Sequence, residues 1–153
     1  MIVAVDINED ALEHALRLGA THVVHASEQD VVAQVRGISD GGAHVALECV
    51  GRADTCRWAA EALRPGGIAA LVGLGPAALQ LPPTTIFSRT EIEVRGVYAY
   101  NRPELERVAE LIADGRLDAR ATIAATYPIE QVNEALQRFR CKDGLSLRVL
   151  VTP

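Results

Sequence analysis

Apolar residues along this chain fall into short unbroken runs that alternate with stretches where they recur every three to four positions. The first run, Ile2 to Val5, ends in Asp6 and has the pattern of a strand buried on both faces. A helix is predicted next. Asn8 can cap it, Glu9 and Asp10 place negative charge in the first turn, and Leu12, Ala15 and Leu16 share a face, with Arg17 in the last turn and Gly19 as the stop. A short strand at His22–Val24, a helix over roughly 28 to 37 and, after Gly41-Gly42, a buried strand at His44–Glu48 continue the alternation. Cys56, Ala59, Ala60 and Leu63 are spaced for one helical face, and Pro65-Gly66-Gly67 is expected to end that helix. Residues 68–72 form a further buried strand stopped by Gly73. A link containing Pro76, Pro82 and Pro83 then leads to a strand at Ile92–Val97. Alternation of this kind predicts an α/β fold, a doubly wound parallel sheet with helices on both faces.

The last third has a different rhythm. Pro103 opens a helix in which Leu105, Val108, Ala109 and Ile112 face one way, closed by Gly115. Pro128 opens another with Ile129, Val132, Leu136 and Phe139 in line, and residues 147–151 read as a terminal strand. A boundary is expected at Tyr98–Arg102, where the strand–helix alternation gives way to two amphipathic helices. No internal repeat or low-complexity segment is present.

Composition narrows the classes. With 153 residues, 49% of them apolar and 23% charged, the chain can bury a globular core. A net charge of -5 and the absence of any basic run argue against a nucleic-acid partner. The opening MIVAVDINED lacks the layout of a signal peptide, and no apolar stretch reaches the ~18 residues of a membrane helix, so a cytoplasmic protein without a membrane partner is expected. Cys49, Cys56 and Cys141 are odd in number and widely spaced, which favours reduced, mostly buried thiols. His22 and His25 flank Val23-Val24 but have no acidic or thiol ligand at fixed spacing, so no metal site is assigned.

In open parallel sheets, ligands bind beyond the carboxyl ends of the strands. Four such ends are visible: Asp6-Ile7, Cys49-Val50-Gly51, Val72-Gly73-Leu74 and Gly96-Val97-Tyr98. Three carry glycine, which lets backbone approach a ligand closely but is also common in ordinary turns. Asp6 is more informative, because a carboxylate directly after a buried strand can accept hydrogen bonds from both hydroxyls of an adenosine ribose. The same geometry serves NAD enzymes and adenosylmethionine-dependent methyltransferases. A G-x-G-x-x-G phosphate turn, which belongs roughly 20 residues before such an acid, is not present, since only five residues precede Asp6.

Residues 2–24, IVAVDINEDALEHALRLGATHVV, resemble the second βαβ stretch of the medium-chain, zinc-type NAD-dependent alcohol dehydrogenases. GGAHVALECVGRADT (41–55) resembles that family's passage from its fourth strand into an E-x-x-G turn. LRPGGIAALVGL (63–74) and EIEVRGVYAY (91–100) resemble its fifth and sixth strands, and YPIEQVNEALQRFRCKDGLSLRVLV (127–151) its closing helix and strand. The ordered set spans nearly the whole chain. It implies a Rossmann-like fold entered at its second strand: 1–98 as a partial dinucleotide-binding domain without first strand or glycine-rich turn, and 99–153 as a segment that in the family returns to the catalytic domain.

The resemblance also implies contacts. Asp6 corresponds to the reader of the adenosine ribose, with Ile7 beside the adenine. Val50, Gly51 and Arg52 match the turn lining the adenosine side. Val72, Gly73 and Leu74 match the turn whose backbone holds the nicotinamide carboxamide, with Gly96, Val97 and Tyr98 opposite. Arg148 matches a position from which some members reach the pyrophosphate. The cofactor implied is NAD, and the zinc of the family, its ligands and its proton relay fall in a domain this sequence does not match. No catalytic residue is therefore assigned, and an alcohol or carbonyl substrate is expected only together with that other half. The family's strand order, 3-2-1-4-5-6, would leave the strands at Ile2–Val5 and His44–Glu48 with unpaired edges. Such edges invite direct pairing, or association with another chain, including a homo-oligomer.

A methyltransferase is the main competing reading, since VDINEDALEHA and LRPGG have close counterparts there. The two amphipathic helices and strand at the end, in place of an antiparallel hairpin, and the turn Glu48-Cys49-Val50-Gly51 speak for a dehydrogenase. A non-catalytic remnant of a dehydrogenase and a zinc-independent quinone or enoyl reductase are also compatible with this pattern, although such reductases usually lack an acid at the position of Asp6.

Overall fold

The computed structural model describes residues 1–27, 30–76, 78–141 and 148–153. The chain divides into two compact units, one of Met1–Ile7 with Ala15–Tyr98, the other of Asn8–His14 with Ala99–Pro153.

The first unit begins with strand β1 (Val3–Asp6) and continues with β2 (His22–His25); helix α1 (Glu9–Arg17), between them in the chain, is assigned to the second unit as far as His14. Asn8 accepts a hydrogen bond from the Ala11 N–H at 3.2 Å, and Gly19 takes a left-handed φ of 109°, so the helix starts and stops where its end signals lie. Strands β1 and β2 pair in parallel, with Val5 opposite Val24 and Asp6 opposite His25. Helix α2 (Val31–Ile38) is shorter than the predicted span. Its cap is Asp30, whose carboxylate accepts from the Ala33 N–H at 2.9 Å and fixes the first turn there. Residues 28 and 29, included in the predicted helix, lie outside the described residues. Val31 and Val35 of α2 pack with Val24 and Ala62, flanked by Val3, Ile38 and Trp58, in the first of two small cores.

Strand β3 (Ala43–Glu48), helix α3 (Ala53–Glu61), strand β4 (Leu63–Leu71), helix α4 (Thr84–Thr90) and strand β5 (Glu93–Gly96) complete this unit. The three strands form one parallel sheet in the order β3-β4-β5. Leu63, Ala69 and Ile92 make its core, with Ala46, Ala59, Phe87 and Val94 against them. Two elements differ from the prediction. Helix α3 ends at Glu61 and not at Pro65–Gly67, because Leu63 already pairs with Ala43. The register then shifts between Ala43 and Val45, and the four residues 64–67 are absorbed as a bulge with Gly66 at φ 74°. Helix α4 sits where only a proline-containing link was predicted. It is seven residues long, and Phe87 anchors it to the core, so its apolar period is too short to read.

Strands β1 and β3 belong to separate sheets, so the direct pairing expected of them does not occur. Among the described residues β1 pairs only with β2 and β3 only with β4, and Val5, Val45 and Leu47 are 41%, 57% and 71% exposed.

In the second unit, helix α5 (Arg102–Ala113) opens on a reciprocal capping box. The Asn101 side chain accepts from the Glu104 N–H at 3.0 Å, and the Glu104 carboxylate accepts from the Asn101 N–H at 2.8 Å. Gly115 follows with φ 68°. Strand β6 (Ile123–Pro128), helix α6 (Val132–Cys141) and strand β7 (Arg148–Thr152) form a parallel βαβ unit. β6 is absent from the predicted elements: six residues with two alanines and only alternate half-burial carry little signal. Residue 147 of the predicted terminal strand and the Cys141 side chain lie outside the described residues. No described helix is long and apolar enough to cross a membrane.

Candidate functional site

The parallel register aligns the carboxyl ends of β3, β4 and β5. Glu48 is opposite Leu71, and Leu71 is opposite Gly96, so the turns at 49–52, 72–75 and 97–98 leave from one edge of one sheet. Glu48 ties the first two together. Its backbone carbonyl accepts from the N–H groups of Val72 (2.8 Å) and Gly73 (3.0 Å). One carboxylate oxygen accepts from the N–H groups of Val50 (2.9 Å) and Gly51 (2.8 Å) and from the Thr55 hydroxyl (2.7 Å). The third turn is joined by the Val97 N–H, which donates to the Leu71 carbonyl at 2.9 Å.

Among the described residues Glu48 is the one buried charged side chain, 4% exposed. Burial alone would push its carboxyl up, but the hydrogen bonds from Thr55, Gly51 and Val50 outweigh that and hold it below the ordinary carboxylate value. Its Oε2 is buried with no hydrogen-bond partner among the described residues, and the Cys56 thiol lies near the carboxylate and helps to lower its pKa. Burial and the Glu48 charge together push that thiol up, so Cys56 stays protonated and inert. Cys56 is buried as expected of a core thiol, whereas Cys49 is exposed, because the alternation that buries Glu48 turns its neighbour outward.

Close backbone contact locks the turns further. A β-carbon built on Gly73 would overlap the backbone N of Gly51, and one on Gly51, which sits at φ 81°, would lie 2.5 Å from the Leu74 carbonyl carbon. These glycines are therefore required by the turns' approach to one another. The cleft they leave, whose lining includes Gly51, Arg52, Cys56, Leu71 and Gly73, holds only ~140 Å³, well below the ~300 Å³ of a small-molecule pocket. A dinucleotide would have to lie along the outside of the edge. Arg52, at the start of α3, pairs with Asp54 through two hydrogen bonds of 2.9 and 2.8 Å. This bond from Arg52 holds the Asp54 carboxyl down to about 2.

Asp6 closes β1 with its side chain exposed, and its carbonyl accepts from the Ala26 N–H at 2.8 Å. Ile7 is 73% and Tyr98 83% exposed, apolar surface at strand ends in both sheets. The structure thus brings Val50, Gly51, Arg52, Val72, Gly73, Leu74, Gly96, Val97 and Tyr98 to one edge, and places Asp6 and Ile7 at the end of the separate β1–β2 pair. Arg148 opens β7 in the second unit, where its guanidinium donates to the Thr122 hydroxyl at 3.2 Å. Sequence reasoning missed Glu48 and Thr55 as organisers of the turns. The available signal was an acid ending an apolar strand three residues before a glycine, with a hydroxyl in the first turn of the next helix.

Among the described residues, no three His, Cys, Asp or Glu side chains gather as a metal site would require. The residues here do not fit a catalytic zinc, and no chemical step is assigned to one.

A sequence profile for the family described as zinc-binding dehydrogenase matches residues 1–114. The chain is 30% identical to sorbitol dehydrogenase of Bacillus subtilis over 99% of its own length and 43% of that protein. To an NAD-dependent alcohol dehydrogenase of Sulfurisphaera tokodaii it is 29% identical, over 98% of this chain and 43% of the relative. Its fold superposes on alcohol dehydrogenase TADH from Thermus sp. ATN1 with a TM-score of 0.88 at 29% identity, covering 99% of this chain and 44% of that one. The chain thus spans less than half the length of the relatives it matches. The methyltransferase reading finds no support in these likenesses.

Proposed function

The chain belongs to the zinc-binding dehydrogenase family, and from that premise we propose that it is the NAD-binding part of an alcohol dehydrogenase-like oxidoreductase. The observation that carries this reading is the single edge at which β3, β4 and β5 end in register, with their turns tied through Glu48. Asp6 is the acceptor for the adenosine ribose, with Ile7 against the adenine. Val50, Gly51 and Arg52 line the adenosine side, where the Arg52–Asp54 pair keeps the guanidinium in place. Backbone groups of Val72, Gly73 and Leu74 hold the carboxamide, and Gly96, Val97 and Tyr98 face them. Arg148 is the pyrophosphate candidate on resemblance alone. When bound, the nicotinamide ring supplies the hydride acceptor or donor for an alcohol or carbonyl, and the chain's own residues orient it.

NAD is preferred over NADP in this reading, because a 2′-phosphate would meet the Asp6 carboxylate. The substrate and the metal are engaged only with the catalytic half of such an enzyme, and the open edges of β1 and β3 are where another chain, that half or a second copy, would associate.

Calorimetric titration of the 153-residue chain tests the proposal. Without a glycine-rich phosphate turn, NAD is expected to bind no tighter than roughly millimolar, about 4 kcal/mol. The chain alone should not reduce NAD with an alcohol, with or without zinc, whereas mixing with a separately expressed amino-terminal half of a relative should restore turnover. Zinc-dependent turnover by these 153 residues alone would overturn the reading. Failure of NAD or AMP to bind even at concentrations far above millimolar would favour a non-catalytic remnant instead.

A further inference from the structure

We propose that His25 is a second ribose-binding residue, a hydrogen-bond donor set beside the acceptor Asp6. This rests on the reading of Asp6 as the ribose acceptor and adds the group that completes it. The two residues are register partners on adjacent parallel strands, Asp6 closing β1 and His25 closing β2. Neighbouring strands lie ~4.8 Å apart and register partners project to the same face, so the two side chains leave the sheet together. Val24, 2% exposed, is turned to the opposite face, into the core with α2. His25 is half-buried at this edge, while Asp6 is exposed.

The chemistry of the imidazole follows from Ser27. Its backbone N–H, which can only donate, points to His25 Nδ1 at 3.4 Å, and its hydroxyl lies 2.6 Å from the same nitrogen. Nδ1 is therefore the acceptor, and the ring proton sits on Nε2. Among the described residues, Nε2 has no partner. A ribose hydroxyl both donates and accepts. The Asp6 carboxylate serves as acceptor; His25 Nε2–H offers the missing donor. Together they satisfy one hydroxyl in both directions, which a carboxylate alone cannot do, and Ser27 holds the ring in the tautomer that makes this work.

The test is NMR titration of the 153-residue chain and its variants with AMP, 2′-deoxy-AMP and 3′-deoxy-AMP, with the unfolding midpoint of each variant measured in parallel. His25→Ala is expected to weaken AMP roughly three- to tenfold. The loss should disappear for whichever deoxy analogue lacks the partnered hydroxyl, and His25→Gln, which keeps an N–H donor, should recover part of it. Asp6→Ala weakens AMP in the same assay. If Asp6→Ala weakens AMP but His25→Ala does not, or acts equally on all three nucleotides, this inference is overturned while the ribose reading of Asp6 stands. If AMP does not bind, or Asp6→Ala leaves it unchanged, the ribose reading fails and takes this inference with it.

Discussion

The edge of the β3–β4–β5 sheet and the end of the β1–β2 pair, the two parts of the proposed nucleotide site, are built in opposite ways. At the first, backbone is held to backbone: Glu48 bonds two turns at once, and glycines let those turns meet without side chains between them. At the second, the side chains proposed to bind ribose, exposed Asp6 and half-buried His25, stand on a two-stranded ribbon, with one backbone bond, Ala26 N–H to the Asp6 carbonyl, closing the pair. The difference teaches where substitutions should register. Changes at the first edge should cost stability, because they leave buried polar groups unpaired or force backbone apart. Changes at the second should cost ligand affinity and leave the fold standing.

The sharpest break of that comparison is at Gly73. A methyl group there overlaps the Gly51 backbone, and backbone cannot move aside as a flexible side chain can. Gly73→Ala is expected to destabilise the chain by about 3 kcal/mol or more in urea denaturation. Gly96→Ala, at the end of the neighbouring strand β5 with nothing within 4 Å of the added carbon, is the control and should cost well under half of that. Equal losses at both positions would show that the turns are not interlocked.

Glu48 comes next. Glu48→Ala strands the N–H groups of Val50 and Gly51 and the Thr55 hydroxyl, at a cost of about 3 kcal/mol or somewhat less if water reaches them. The pH dependence has a definite sign. The carboxyl is held below its ordinary value of 4.5, so the folded state binds its proton less readily than the unfolded chain. Its contribution is present above that value and is lost as pH falls through the lower folded-state pKa. The stability gap between the parent and Glu48→Gln should therefore be widest near neutrality and shrink as the solution is acidified. A gap that widens on acidification would contradict the hydrogen-bonded, ionised Glu48 described here.

At the other edge the expected effect is on choice of cofactor. A 2′-phosphate about 4 Å from Asp6 would be repelled by roughly 4 kcal/mol at an effective dielectric of ~20, less after screening, which corresponds to about a hundredfold preference for NAD over NADP. Asp6→Ser should erode or reverse that ratio, with little change in the unfolding midpoint. Equal affinity of the parent chain for both nucleotides would remove Asp6 as the discriminating group.

The same contrast explains what was legible in the amino-acid sequence. β1, α1 and β3 could be read because they announce themselves locally, through an unbroken apolar run or a capped amphipathic turn. The bulge at residues 64–67 could not, since Pro65-Gly66-Gly67 is as good a helix stop as it is a bulge, and only the pairing of Leu63 with Ala43 decides. β6 and α4 gain their definition from partners far along the chain, Arg148–Thr152 and the Phe87 core. Among candidate site residues, Asp6 could be proposed from the sequence because the ribose reading rests only on its position after a strand. The role of Glu48 could not, because it depends on which backbone groups the folded turns present to it.

The smallest effect is expected at the amino end of the β1–β2 ribbon, and it asks whether this region is as independent as its construction implies. Thr21 bonds the start of β1 twice through one hydroxyl, which accepts from the Ile2 N–H at 2.9 Å and donates to the Ile2 carbonyl at 2.8 Å. The N–H groups of Thr21 (2.8 Å) and His22 (3.1 Å) also donate to the Ile2 carbonyl, so the backbone keeps two ties when the hydroxyl is removed. Thr21→Val preserves side-chain shape and β-branching, and removes those two exposed bonds together with the 3.0 Å contact between the hydroxyl and His22 Nδ1. Their net worth is about 1 kcal/mol, which in native-state hydrogen exchange appears as a roughly fivefold faster opening. The faster exchange should be confined to the amides of the β1–β2 pair, with those of β3, β4 and β5 unchanged, because the two sheets share no ladder of hydrogen bonds. Equal acceleration in both sheets would mean that the ribbon and the β3–β4–β5 sheet open as one cooperative unit, and that the division of labour between their edges is chemical but not mechanical.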